Sequence, residues 1–301
     1  MRALLMLSIL TVGLLMPCLG HQPLPAPGEA VVVDVSGQEF KLTNTKLTQG
    51  TRRLAWLARA DGITDDEKQG TLVLEIREPN STTLLKGILT LIPAASLESV
   101  KYDYEKQQVS YVLKGRKEPV IGTLEYRGIN VLGVSGSSDG QSLAFKGGML
   151  SKTALKTITF TAAQELPPPR NWGTFWTVQI HQPTASDPLL PVRNLKVLYQ
   201  YPGGVERVVD QLPIRKANPI SFNQIKRFEL LANDLNTNMA AAEIEMQNNQ
   251  ARVIAIPLNV EMENQKGTLV GFVGEVDVGW KLFPLHTIKV VTLTEVKKKI
   301  D

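Results

Sequence analysis

Four stretches decide how this chain is read: Ile92–Tyr102 (IPAASLESVKY), Leu150–Phe160 (LSKTALKTITF), Ile220–Leu230 (ISFNQIKRFEL) and Phe283–Leu293 (FPLHTIKVVTL). Each opens with an apolar residue followed by Pro or Ser. Leu or Ile stands at the sixth position: Leu97, Leu155, Ile225 and Ile288. Apolar residues return three and five places later, as Val100 and Tyr102, Ile158 and Phe160, Phe228 and Leu230, Val291 and Leu293. The sixth-position residues are 58, 70 and 63 residues apart, a near-regular period that predicts a repeated supersecondary unit. Physically, a strand ends at Pro or Ser, one tight turn follows, and a new strand enters in alternation.

The sequence around these echoes is rich in strand signals. AVVVDV from Ala30, TLVLEIRE from Thr71, QVSYVLK from Gln108, NLKVLYQY from Asn194 and TLVGFVGEVDV from Thr268 alternate β-branched or aromatic residues with polar ones. Helical candidates are few. NDLNTNMAAAEIEM, with Asn233 or Asp234 as a cap before Ala240–Ala242, is expected to form a short helix. LAWLARADG, ending at Gly62, is ambiguous. The corner pattern resembles the strand–turn–strand corner near the end of small SH3-like and PRC-type barrels. It is similar in this to uncharacterised exported bacterial β-repeat proteins; the resemblance implies architecture and no activity. The expected class is mainly β: two lobes built from about four small antiparallel units, barrel- or sandwich-like, with few short helices.

Punctuation divides the chain. Residues 1–20 (MRALLMLSILTVGLLMPCLG) combine Arg2 with an apolar run too short to span a bilayer, which reads as a signal peptide. Residues 21–28 carry Pro23, Pro25 and Pro27 and read as an extended linker. Pro167–Pro169 removes three backbone donors, so a linker is placed at 166–170. It separates a first lobe, 29–165, from a second, 171–301, each of two units. Cys18 is the only cysteine, so an exported chain cut after Gly20 would use neither disulfides nor thiol chemistry. Lipid anchoring at Cys18 is disfavoured by Pro17, which stands where a small residue belongs. The expected location is the periplasm or the extracellular space, with no integral membrane span in the mature chain.

Composition narrows the function classes. The 301 residues carry 33 Lys and Arg against 29 Asp and Glu, a net charge of +4, far from a nucleic-acid footprint. No phosphate-cradling Gly-rich loop precedes a helix. Gly133-Val134-Ser135-Gly136-Ser137 begins like a G-x-S-x-G elbow but lacks its last glycine, and reads as a polar turn loop. His21, His181 and His286 lack metal-ligand spacing. Asp61, Asp65, Asp66 and Glu67 lack the order of a calcium loop and read as an exposed hairpin. No cofactor, metal or catalytic residue is expected.

Two aromatic groups are the candidate binding residues. Tyr102 and Tyr104 share one strand face, with Asp103 and Glu105 on the other. Trp172, Phe175 and Trp176 cluster directly after the triproline. Either group would recognise a polysaccharide or an envelope protein if exposed. The expected function is a non-catalytic envelope structural, adaptor or ligand-binding module. The alternative is an extracytoplasmic hydrolase using loop carboxylates.

Overall fold

The computed structural model describes residues 24–25, 28–48, 50–54, 56, 71–77, 88–124, 132–147, 154–166, 168, 174–180, 189–234, 238–262 and 265–295. Up to the triproline the strands are β1 (Leu24–Pro25), β2 (Ala30–Asp34), β3 (Glu39–Thr48), β4 (Thr51–Leu54), β5 (Thr71–Arg77) and β6 (Leu89–Pro93). They continue as β7 (Leu97–Asp103), β8 (Gln108–Leu113), β9 (Val120–Thr123), β10 (Gly133–Ser138), β11 (Gln141–Phe145) and β12 (Leu155–Phe160). Beyond it come β13 (Thr174–Ile180), β14 (Leu189–Gln200), β15 (Glu206–Val209), β16 (Gln211–Leu212), β17 (Ile220–Ser221) and β18 (Ile225–Asp234). The last are β19 (Met239–Met246), β20 (Ala251–Pro257), β21 (Asn259–Met262), β22 (Gln265–Val276), β23 (Gly279–Pro284) and β24 (Ile288–Glu295). The protein is mainly β, and its helical residues among those described are confined to short 3-10 turns.

Three of the four echoes build one and the same corner. Pro93, Ser221 and Pro284 end a strand in extended geometry; Ala94–Ser96, Phe222–Gln224 and Leu285–Thr287 then make a single 3-10 turn. The sixth-position residue closes each turn: the N–H groups of Leu97, Ile225 and Ile288 donate to the carbonyls of Ala94, Phe222 and Leu285. Pro and Ser suit the exit, because the turn needs no donor there. Of the remaining echo, Leu150–Thr153 lies outside the described residues, and β12 begins at Leu155.

Sheet order places these corners. One sheet runs β11-β10-β3-β2-β12-β7-β8-β9. The larger runs β20-β19-β18-β24-β13-β14-β22-β23-β6-β5-β4. Its stretch β23-β22-β14-β13-β24-β18-β19-β20 matches the first sheet strand for strand when each half is counted from its own first long strand. In both, the second of these strands in chain order (β3, β14) pairs antiparallel with the sixth (β10, β22) after a long excursion. The strands β24-β13-β14-β22-β23 are neighbours in that order, and the 3-10 corner carries β23 into β24.

Each half has its own core, and a third apolar layer joins them. Val32, Val100, Ile158, Tyr111 and Phe145 belong to the first core; Val178, Phe228, Phe272, Phe283 and Val291 belong to the second. Burying one such side chain contributes about 1.5–3 kcal/mol. β6 pairs β23 (Trp280↔Leu91, Lys281↔Thr90, Leu282↔Leu89), so strands from both sides of the triproline share the larger sheet. Over this join, Trp56, Leu89 and Trp280 pack on Leu198, Val273 and Leu282. Arg52 on β4 pairs with Glu75 at 2.5 Å and with Glu206 on β15 at 2.8 Å. The Trp56 indole donates to the same Glu206 at 3.2 Å.

The expected helix over NDLNTNMAAAEIEM does not form: its described residues are the end of β18, the turn residue Asn238 and β19. Ala240, Ala242 and Ile244 alternate inward and are fully buried, opposite Ile256, Ile254 and Arg252 of β20. Alanine's helix propensity is a few tenths of a kcal/mol per residue, and a strand partner on each side outweighs it. The ambiguous LAWLARADG segment falls mostly outside the described residues. No helix among the described residues is long and apolar enough to cross a membrane.

Candidate functional site

A β-bulge shapes the most distinctive concavity. Arg193 faces Glu275 and Lys196 faces Val273, so β14 has one residue more than β22 between these pairs. Asn194 absorbs the extra residue with φ of 46°, a left-handed conformation that Asn tolerates better than most. Gly274 lies opposite; a Cβ there would meet the Val192 Cβ at 2.9 Å, so the close approach needs glycine. The bulge turns two side chains onto one carboxylate. Arg193 Nη2 reaches Glu275 Oε2 at 2.9 Å, and Asn194 Nδ2 donates to Glu275 Oε1 at 2.8 Å. Both oxygens of Glu275 are therefore engaged by charge-assisted or amide donors.

Beside the bulge opens a cavity of about 500 Å³. Its apolar wall is Phe175, Trp176, Leu195, Phe222 and Leu293; its polar rim includes Lys196, Asp210, Ser221 and Asn223 as well as the Arg193–Glu275 pair. Trp176 is 6% exposed and meets the Phe222 ring edge-on at 5.8 Å. Phe222 in turn packs on Phe228 and Phe272, each at 6.3 Å, so the wall is anchored in the second core. Phe175, next along β13, stays half-buried. The arrangement can stack and desolvate a planar or extended ligand while fixed polar groups orient it.

The aromatic residues singled out in the sequence part company. Phe175 and Trp176 line the cavity, whereas Trp172 lies outside the described residues. Tyr102 and Tyr104 lie in the first half, their rings 6.4 Å apart. Tyr102 is buried and donates to the Leu132 carbonyl at 2.5 Å; Tyr104 donates to the Leu155 carbonyl at 2.7 Å. Burial pushes the Tyr102 phenol well above its usual pKa. Asp103 accepts from the Lys106 N–H at 2.9 Å within the hairpin turn, and those hydrogen bonds hold its carboxyl below the usual range.

Other sequence candidates resolve differently. Ser135 sits inside β10, opposite Lys46 on one side and Ala144 on the other, so the segment is a strand rather than a loop. Its turn is Asp139-Gly140, with φ of 48° and 77°, which joins β10 to β11 as a tight hairpin. The acidic group Asp61–Glu67 and His181 lie outside the described residues; His286 stands in the Leu285–Thr287 corner. Among the described residues, no three His, Cys, Asp or Glu side chains gather to hold a metal.

Arg193, Asn194, Asp210 and Glu275 were not expected as site residues. Their signal lies in a comparison of the halves. Gly133-x-x-Gly136-x-x-Asp139, in β10 and its turn, corresponds to Gly271-x-x-Gly274-x-x-Asp277, in β22 and its turn, and Asn44-x-Lys46 to Asn194-x-Lys196. Asn44 also has a positive φ, 51°, at a bulge in β3. Where the second half carries Arg193 and Glu275, the first carries Thr43 and Ser137, so the charged clamp belongs to one half only.

The fold and site define a mainly-β protein with an aromatic-walled groove beside a bulged strand. Comparison with protein-family models, curated proteins and solved structures finds no match.

Proposed function

We propose that the protein is an exported, non-catalytic scaffold of tandem β units that binds an envelope partner or polysaccharide in the groove of its second half. Export follows from the signal-like residues 1–20, and the tandem units from the four echoes. Two lobes of two units each is the organisation this reading favours, with the triproline between them. The groove carries it: an aromatic wall anchored in the core, beside a carboxylate whose two oxygens are already held by Arg193 and Asn194. A carboxylate so engaged is held in one orientation, as a recognition group requires.

The hydrolase reading rests on Asp210 and Glu275 sharing the cavity. Calorimetric titration with soluble envelope polysaccharide fragments and with peptides separates the two. Saturable binding that Phe175→Ala weakens about tenfold supports the scaffold reading. Turnover of an ester or glycoside that disappears in Asp210→Asn overturns it. Fractionation of cells producing the full chain tests the export itself.

A further inference from the structure

We infer that the β22–β23 hairpin is a latch that locks the two halves into one cooperative unit, so that the triproline does not act as a hinge. The tip of this hairpin, Asp277–Gly279, belongs to the second half but seats in the first. Val278 packs against the first core. Arg116 Nη2, from the β8–β9 turn, donates to the Asp277 carbonyl at 2.7 Å. At Gly279 φ is 149°, and a Cβ there would stand 2.1 Å from the Leu91 carbonyl oxygen of β6. That approach of backbone to backbone needs glycine.

The matching hairpin of the first half shows what is particular to this seat. In β10–β11 the turn residues are Asp139-Gly140, flanked by Ser138↔Gln141; in β22–β23 they are Asp277-Val278, flanked by Val276↔Gly279. Asp139, Gly140 and Gln141 are exposed, and the first two have positive φ, as a free two-residue hairpin prefers. The latch carries Val278 where that hairpin has Gly140, and Gly279 where it has Gln141. One change adds an apolar side chain to bury; the other removes a side chain where strands must come close. A hairpin facing water needs neither, and a docked one needs both.

The turn that grips the latch also grips the linker. Leu166, the residue before the triproline, belongs to the first core, and its N–H donates to the Lys114 carbonyl at 3.0 Å. Lys114–Arg116 therefore holds the entrance to the linker and the tip of the latch within three consecutive residues. Swinging the halves apart would unseat Val278, unzip β6 from β23 and pull Arg52 from Glu206. The same hairpin carries Glu275, opposite Trp280, so the latch fixes the groove's carboxylate relative to the first half.

Native-state amide hydrogen exchange of the full chain in increasing urea tests this. The slowest amides of β7 and β12 in the first core, and of β18 and β24 in the second, should open with one common urea dependence. Val278→Ser should speed exchange in all four strands by about tenfold. Val205→Ser, in a second-half turn at 50% exposure, should change neither core. Two separate opening transitions in the parent overturn the latch, as does a Val278→Ser effect confined to one core. If Val278→Ser does not fold, the parent decides alone: one shared transition supports the latch and two overturn it.

Discussion

Phe228 lies directly opposite Val291 across the β18–β24 pair, and both are fully buried. Each is the ninth residue of its echo. The same position meets itself in the first half, where Val100 faces Ile158 across β7 and β12. Val178 and Val32 complete the two rows on β13 and β2. The apolar spacing of the echoes thus has a tertiary purpose: two corner strands pair antiparallel about their ninth residues and point them into one core.

Phe228→Ala removes the largest side chain of that row, whose ring also lies 5.2 Å from Phe272. The expected cost is about 3–5 kcal/mol, as for other buried Phe truncations. Leu231→Ala, three residues along the same strand at 51% exposure, should change stability by no more than about 0.5 kcal/mol. Urea unfolding of both variants measures the contrast; equal effects would sink the assignment of the echo face to the core.

Asn194 links the bulge to the groove. Asn194→Val places a β-branched residue at positive φ and removes the donor to Glu275 Oε1, at a cost of about 1–3 kcal/mol. Asn194→Gly keeps the backbone geometry and loses only the side-chain bond, so it should cost less. Denaturation midpoints that rank the two variants the other way would show that the bulge does not govern this site.

At Gly271 a Cβ would stand 2.0 Å from the Phe283 carbonyl oxygen, and backbone cannot yield without opening the β22–β23 pair. Gly271→Ala should destabilise by about 3 kcal/mol or more. Gly140→Ala meets nothing within 4 Å and carries only the strain of φ 77°, about 1–2 kcal/mol. Thermal unfolding of the pair separates close approach from conformational strain.

Stability should fall at both ends of the pH scale for nameable reasons. Asp34 Oδ1 accepts from the Ser36 hydroxyl at 2.6 Å and from the N–H groups of Ser36 and Gln38, each at 2.9 Å. The Ser36 hydroxyl chiefly holds its pKa below the ordinary 3.8. A lowered folded value means the contribution is complete at neutral pH and is lost as pH falls below 3.8 through that value. Asp34→Asn should flatten the acid limb of a stability–pH curve.

On the alkaline side, burial raises the phenols of Tyr102, Tyr111 and Tyr199 above the ordinary 10.0. The folded state then keeps protons that the unfolded state releases, so stability declines as pH climbs past 10.0. Tyrosinate absorbance should report these three only as the chain unfolds. Reversible titration of all tyrosines in the native state would contradict their burial.

Much of the architecture was legible because strands and corners are written in local alternation and punctuation. The echoes marked Pro93 and Pro284 as strand ends and Leu97, Ile225 and Ile288 as the apolar residues that follow a tight turn; that the turn is 3-10 and that their N–H groups close it came from the structure. Phe175 and Trp176 were legible as a pair of interest from their clustering. Ala240–Ala242 misled, because alanine favours helix locally while two neighbouring strands, invisible from the segment itself, set its state. Gly133-x-x-Gly136 was read against a catalytic elbow; its true counterpart was Gly271-x-x-Gly274, about half a chain away.

By itself, the sequence determined a mainly-β chain, its four corner patterns and the alternating faces that fill two cores. These follow from period-two hydrophobicity and from turn residues that act on their immediate neighbours. Only the tertiary structure decided that β6 joins β23, that Arg52 bridges Glu75 and Glu206, and that a bulge at Asn194 opens a groove beside Trp176. Each of these depends on register between strands far apart in the chain. Register is set by how whole faces pack against one another, so no single stretch of sequence contains it.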